Sequence, residues 1–254
     1  MFFSKKLNNF PEIKHCFFSR KNGFSKGIYY SLNCGPGSND EKRNIEKNLN
    51  FVSKFMGSEF NNLILMNQTH SNKVIFIDEK NKNQKKFDCD AIITSLKDVA
   101  LCVLTADCVP VLLFDKKNGL IGCLHAGWKG AISGIIENTV NEIKKYGKKN
   151  KIVASIGPCI GLNNYEVDFD FKKKFIFKSK KNEKFFFKKD NEKFNFDLRN
   201  FISLKLTECG VEDIDNVSKD TFSDSDNFFS FRRSLSLGEK DYGRCISSII
   251  LKKN

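Results

Sequence analysis

The sequence predicts an α/β protein, a single layered domain spanning residues 1–254 in which mixed β-sheets are flanked by helices. Two observations carry this expectation. Short runs rich in Val, Ile and Leu alternate with segments whose apolar residues recur every three or four positions, the signature of buried strands interleaved with amphipathic helices. A chain of 254 residues is also long enough to bury a layered core without covalent staples, and no internal repeat or linker divides it.

Taken in order, His15-Cys16-Phe17-Phe18-Ser19-Arg20 reads as a short strand running into the turn Lys21-Asn22-Gly23, and a second glycine-containing turn precedes Ile28 to Leu32. Asn39-Asp40 opens a polar stretch in which Ile45, Leu49, Val52 and Phe55 fall at helical spacing, so one amphipathic helix is expected there. Leu63 to Met66 and Val74 to Ile77 are strand-like and flank Asn67-Gln68-Thr69-His70-Ser71-Asn72, which places His70 at a strand-to-strand junction. Ala91 to Thr94, Ala100 to Thr105 and Val109 to Phe114 read as buried strands. Ile121 to Leu124 is another, ending in His125-Ala126-Gly127-Trp128-Lys129-Gly130. A helix follows, with Ile132, Ile135, Ile136, Thr139, Val140 and Ile143 on one face. After the strand Ile152 to Ile156 comes the turn Gly157 to Gly161. Leu198 to Cys209 reads as a helix, Phe228 to Arg233 as a strand ending in two arginines, and Gly243 to Leu251 as a final apolar element.

Nine cysteines, scattered and without a CxxC pair, fit free thiols in a reducing compartment rather than a disulfide scaffold. The longest apolar region, Val99 to Phe114, is interrupted by Asp107 and falls short of the roughly 18 uncharged residues of a membrane span. The N-terminus lacks the h-region of a signal peptide. A cytoplasmic protein without a membrane partner is therefore expected. The formal charge of +13 accompanies an abundance of Lys, Asn, Ile and Phe together, which fits a coding bias better than a nucleic-acid function. Ten lysines against three acids between Lys172 and Lys193, interleaved with phenylalanines, resemble a single-strand nucleic-acid groove. A solvated helix and hairpin whose lysine stems cover apolar surface is the preferred reading, and no specific nucleic-acid partner is expected.

The chain has three histidines, and two of them, His70 and His125, stand at strand edges on either side of Cys108. Two imidazoles and a thiolate on zinc leave a fourth position open, the arrangement of a catalytic rather than a structural ion. Separations of 38 and 17 residues exclude a local zinc finger, so the ligands would have to converge from three loops. Cys123 competes for the sulfur position, because residues 123 and 125 of one strand point to the same face.

The blocks NQTHSNKV, DCDAIIT from Asp88, VLTADCVPVLL, IGCLHAGWKGAISGIIENTV, IGPCIGLNNYEV and FFSFRR resemble the successive motifs of the YfiH-type family, as does FFSRKNGFSKGIYYSLN near the N-terminus. That family was long labelled a laccase-domain or multicopper polyphenol oxidase group and is now regarded as zinc-dependent purine nucleoside enzymes. The resemblance covers essentially the whole chain and implies a YfiH-like fold. It implies one zinc ion held by His70, Cys108 and His125, phosphorolysis of adenosine, inosine, guanosine and methylthioadenosine, and deamination of adenosine. Purine nucleosides and phosphate are then the expected partners.

On this reading Asp107, Cys108 and His125 are the candidate catalytic residues, with Asp107 either orienting a ligand or accepting a proton. Gln68, Lys129, Arg232 and Arg233 are the candidate substrate-binding residues. Phosphate would be held by the Gly127–Ala131 turn, whose N–H groups open a helix, or by the forked guanidinium groups of Arg232 and Arg233. Zinc with an open position lowers the pKa of bound water toward about 7, which suits hydrolytic loss of the adenine amino group. Lys129 stands where the family usually has arginine and offers only a point charge. Cys245 stands where an apolar residue is expected.

Three other readings compete. Three histidines without a His-x-His pair cannot assemble a multicopper centre, although a single copper suits two His and one Cys. Cys108 and His125 could instead be the nucleophile and base of a cysteine hydrolase, such as an amidase editing cell-wall precursors. The lysine and phenylalanine region would serve a nucleic-acid binder.

Overall fold

Alternation along the strands decides how the layers stack. The computed structural model describes every residue except Lys148, Asn191 and Asn254. Its strands are β1 Ile13–Phe17, β2 Leu63–Leu65, β3 Val74–Ile77, β4 Ala91–Thr94, β5 Ala100–Thr105, β6 Val109–Asp115 and β7 Leu120–Ala126, followed by β8 Ile152–Ile156, β9 Glu166–Asp168, β10 Phe186–Lys188, β11 Lys193–Phe196, β12 Asp213–Asn216 and β13 Cys245–Leu251. The helices are α1 Lys42–Met56, α2 Trp128–Ser133, α3 Ile135–Lys145, α4 Phe169–Lys178, α5 Leu198–Glu208 and α6 Phe231–Ser236.

A four-stranded sheet of order β1-β13-β5-β2 faces a six-stranded sheet of order β12-β8-β6-β7-β4-β3, and a small sheet β10-β11-β9 stands apart. Both large sheets are mixed: β2–β5, β3–β4 and β8–β12 pair in parallel, the other neighbours antiparallel. In β5, Leu101 and Val103 turn inward to meet Ile92, Leu112 and Ile121 of the six-stranded sheet. Their neighbours Ala100, Cys102 and Leu104 turn outward and are covered by Ile45, Leu49, Val52 and Met56 of α1. On the far face of the six-stranded sheet, Ile93, Val111, Leu113 and Leu124 pack against Ile135, Ile136, Val140 and Ile143 of α3 and against α5. The outcome is a helix–sheet–sheet–helix stack, the layered α/β architecture expected from the sequence.

Most helix ends follow local rules. α1 stops at Gly57, whose φ of +78° and N–H bonds back to Ser53 and Lys54 form a left-handed cap. Gly134, at φ +94°, splits the helix expected after His125 into α2 and α3. The run Phe228 to Arg233 is not a strand. Ser230 caps α6 by accepting the Arg233 N–H, so both arginines lie in a helix, and the aromatic pair Phe228-Phe229 is buried before it.

The lysine-rich segment forms α4 and the β10–β11 hairpin, as expected. Phe186 and Phe196 stack inside it with Phe175 packed obliquely against both, while Lys172, Lys173 and Lys174 lay their ammonium groups over the rings of Phe194, Phe169 and Trp128. Among the described residues no helix is long and apolar enough to cross a membrane.

The two chain passages from the four-stranded to the six-stranded sheet, β2 to β3 and β5 to β6, both arrive beside the C-terminal end of β7, where Pro110 pairs with His125 and Ala91 with Leu124. This brings two loops and a strand end to one point. Phe196, fully buried and ringed by five aromatic neighbours, anchors the α4–hairpin unit. Phe196→Ala is expected to cost about 3–5 kcal/mol, measured by urea denaturation of the purified protein.

Candidate metal centre

His70 lies in the β2–β3 crossing, Cys108 ends the β5–β6 crossing immediately before β6, and His125 is the penultimate residue of β7. Their donor atoms all lie within 4.8 Å of one another. The Cys108 Sγ is 3.9 Å from the His70 Nε2, and the two imidazole rings meet nearly edge to face at 4.7 Å. Cys123 shares a strand face with His125, but it lies deeper, in the apolar layer between the sheets, where burial pushes its thiol well above the usual range. Geometry thus brings Cys108 to the histidines and leaves Cys123 in the core.

Both loops carrying these ligands hold a non-glycine residue in the left-handed region: His70 at φ +60° and Asp107, next to Cys108, at φ +86°. Each is secured by a buried carboxylate. Asp90 Oδ1 accepts the His70 N–H (3.0 Å) and Oδ2 the N–H and hydroxyl of Ser71 (2.6 and 2.7 Å). The same Oδ1 stands 2.8 Å from His125 Nδ1, which leaves His125 Nε2 for an ion. A carboxylate behind a ligand imidazole fixes its tautomer and raises its basicity. Burial opposes ionisation of Asp90, yet the bonds from His125 and Ser71 outweigh it and hold the carboxyl at about 2.

Asp107 secures the other loop. Its Oδ1 accepts the Thr221 hydroxyl (2.7 Å), and its Oδ2 accepts the Ser230 hydroxyl (2.9 Å) and the Arg232 N–H (2.7 Å). Burial nevertheless raises its pKa above the usual carboxylate range. With both oxygens engaged on the 221–232 segment, Asp107 is placed to orient Cys108 from behind.

Glycine at 127 closes the group. A Cβ there would sit 2.8 Å from His70 Cδ2 and 2.9 Å from Cys108 Sγ, so the backbone of the HAGW turn packs directly on two of the donors. One thiol and two imidazoles, a free Nε2 on His125 and no room for a side chain at 127 fit a zinc-sized ion with an open side.

Burial favours a neutral thiol, but His125 and His70 outweigh it and bring Cys108 down to about 7. Burial likewise opposes the His125 cation, yet the Cys108 thiolate and the Asp90 carboxylate lift it to about 9. Thiolate and imidazolium each favour the other's charged form, and an ion must displace any proton held on His125.

Two cavities meet at the group. The first, ≈ 520 Å³, is lined by all three donor residues and by Gly35, Lys86 and Arg244. The second, ≈ 480 Å³, shares His70 and Cys108 and has aromatic walls of Trp128, Tyr165, Phe171 and Phe231. A larger cavity of ≈ 960 Å³ lies elsewhere, between the N-terminal segment and the 56–62 and 250–253 segments.

The other sequence candidates are dispersed. Gln68 lines the first cavity, but its amide is bonded at both ends to the Leu104 backbone, at 2.7 and 2.8 Å. Lys129 is exposed beside Trp128 and lines neither cavity. Arg232 lines the second cavity, with one N–H on the Glu166 carbonyl and its guanidinium over Tyr165. Arg233 points away, to the carbonyls of Thr221, Phe222 and Phe228, and its guanidinium holds that loop instead of an anion. The helix opened by Gly127 has only six residues, too short to present a useful dipole to phosphate. Sequence reasoning missed Asp90, Tyr165 and Arg244. Asp90 had one signal, an acid directly before an apolar strand, where a buried carboxylate needs partners.

A family model described as "multi-copper polyphenol oxidoreductase laccase" matches residues 14–252. A purine nucleoside phosphorylase of Rickettsia conorii is 37% identical over 237 residues, covering 89% of this chain and 97% of the relative. One of Bacteroides thetaiotaomicron is 31% identical over 261 residues, covering 98% and 95%. Among solved structures, the Bacillus licheniformis hypothetical protein YfiH superposes with a TM-score of 0.87 at 26% identity, covering 94% of this chain and 93% of that one. A Neisseria meningitidis protein of the DUF152 family gives 0.85 at 29%, covering 96% of each.

Two outcomes are expected. Asp90→Asn, with all three donors intact, lowers zinc affinity about 10- to 100-fold in competition with a chromophoric chelator. In metal-free protein the rate of Cys108 alkylation by iodoacetamide rises with a midpoint near pH 7, two units below that of an ordinary thiol near 9, because the thiolate persists above that pH and is lost below it.

Proposed function

Because the chain belongs to the YfiH-type family described as multi-copper polyphenol oxidoreductase laccase, whose relatives here are named purine nucleoside phosphorylases, we propose that it is a zinc-dependent purine nucleoside enzyme. The reactions proposed are phosphorolysis of adenosine, inosine, guanosine and methylthioadenosine, and deamination of adenosine to inosine. The carrying observation is the His70–Cys108–His125 group, backed by Asp90 and set where two cavities meet. The cytoplasm is the proposed location, in keeping with nine free cysteines.

In phosphorolysis a phosphate oxygen bonds to C1′ of the ribose while the C1′–N9 bond breaks. The electron pair leaves on the purine, which takes up a proton. Zinc, when bound, supplies Lewis-acid chemistry at its open side. The protein's part is to hold the nucleoside still: Trp128, Tyr165, Phe171 and Phe231 offer faces and edges for a flat purine, and Arg232 stands at the wall beside them. Asp90 and Asp107 keep the donor loops in place during turnover. A group of one cysteine and two histidines has no capacity for several coppers, so oxidase chemistry of the laccase type is not proposed.

One observation favours a second reading. The Cys108 sulfur lies within 4.8 Å of imidazole nitrogens of His125 and His70, which draw its thiol pKa downward, an arrangement that also suits a cysteine hydrolase nucleophile acting on an amide.

The test incubates metal-analysed protein with adenosine, with and without phosphate, and separates the products. Adenine or hypoxanthine with ribose 1-phosphate is expected when phosphate is present, and inosine in its absence. Chelation, His70→Ala, Cys108→Ala and His125→Ala should each abolish turnover. Metal-free protein that is fully active on an amide and silenced by alkylation of Cys108 would replace this reading with the hydrolase.

A further inference from the structure

We infer that the first cavity is the pocket for inorganic phosphate, with Arg244 as its principal ligand, so that phosphate and nucleoside reach the metal group from different sides. This rests on the phosphorolytic reading above.

The two cavities differ sharply in charge. Among the described residues, the lining of the first contains Lys85, Lys86 and Arg244 and no Asp or Glu. The second contains the three acids Asp107, Glu166 and Asp168 with the cations Lys193 and Arg232, beside its aromatic walls. A dianion entering the second would meet three acids beside the two cations, whereas the first, away from the Cys108 sulfur that both cavities share, offers it cations and neutral groups. A neutral nucleoside has the opposite preference, for stacking surfaces and hydrogen-bonding acids.

Arg244 is built for such a role. Its stem packs on Gly35, where a Cβ would come within 2.6 Å of its Cδ, so the Gly35-Pro36-Gly37 turn both seats the arginine and lines the cavity. The guanidinium is half-buried, lies 4.4 Å over the Tyr242 ring and gives one N–H to the Tyr242 carbonyl at 3.2 Å. Its acidic neighbour Asp241 holds Oδ1 3.9 Å from one guanidinium nitrogen, beyond hydrogen-bond distance, while its Oδ2 accepts the Tyr29 hydroxyl and the Asn39 N–H, both at 2.7 Å. Most of the fork is therefore uncommitted, unlike Arg233, which is bonded to three carbonyls. A planar guanidinium with free N–H groups, in a cavity whose lining holds no Asp or Glu among the described residues, matches two oxygens of a phosphate. Lys85 and Lys86 add positive charge from the exposed rim, although Lys86 also reaches Asp88 at 3.1 Å.

The experiment measures calorimetric binding of inorganic phosphate to zinc-loaded protein, and the Michaelis constants for phosphate and inosine, in wild type, Arg244→Ala, Arg244→Lys and Arg232→Ala. Arg244→Ala should weaken phosphate binding and raise the phosphate KM about 10- to 100-fold while leaving the inosine KM unchanged. Arg244→Lys keeps the stem on Gly35 and a charge without the fork, so it should recover part of the loss. Should the alanine variant fail to fold by its melting curve, the lysine variant alone carries the comparison. Unchanged phosphate binding in the Arg244 variants, or a phosphate KM that responds to Arg232→Ala instead, overturns the assignment. Wild-type protein that binds phosphate through Arg244 yet leaves inosine intact supports the anion pocket and defeats the phosphorolytic reading.

Discussion

The buried carboxylate of Asp90 is the hinge on which the candidate metal centre turns. It accepts the Nδ1–H of His125, the backbone N–H groups of His70 and Ser71 and the Ser71 hydroxyl, so one side chain orients the His125 ring and holds the loop that carries His70. A carboxylate this deeply buried is costly unless charged or well-aligned donors surround it, and here they do. His70 needs the support, since its backbone sits in the left-handed region that a β-carbon disfavours. The Asp90 carbonyl also accepts the His125 N–H, tying the carboxylate's own strand to the ligand's strand.

Asp107 does for Cys108 what Asp90 does for His70, through different partners. It draws Thr221, Ser230 and the start of α6 onto the β5–β6 crossing, so a segment more than a hundred residues away closes the second cavity over the thiol. The two crossings between sheets would otherwise be free loop. Their convergence beside β7 puts three donors, a glycine without room for a side chain and two cavities at one end of the inter-sheet seam. Rigid strands supply the position, and the two carboxylates supply the loop conformation.

Charge is partitioned around this point. The lysine excess that dominates the composition is mostly spent on outer surfaces, where stems lie over the rings of Phe169, Phe194 and Trp128. Arginines do the interior work. Arg233 satisfies three carbonyls of the 221–228 loop, Arg232 braces the second cavity, and Arg244 is left with its fork largely open.

Much of the secondary structure was legible from periodicity, because strands such as β5 and helices such as α3 bury one face and repeat accordingly. Phe228 to Arg233 misled, since a short aromatic run looks the same before a strand or a capped helix until Ser230 is seen accepting from Arg233. The ligand types at 70, 108 and 125 were visible as scarce residues at strand edges. Periodicity did not choose between Cys108 and Cys123, a choice that only the family resemblance implied, because side-chain alternation assigns a face and says nothing of depth along the strand. Asp90 and Arg244 acquire meaning only from neighbours in other elements, 35 residues away at His125 in one case and across the molecule at Gly35 in the other. Sequence by itself determined the layers and the inventory of donors, both of which follow from local pattern and residue chemistry. Tertiary structure alone decided which donors meet, which carboxylate steadies them and which arginine is left free, since each depends on distances set by sheet pairing and loop crossing.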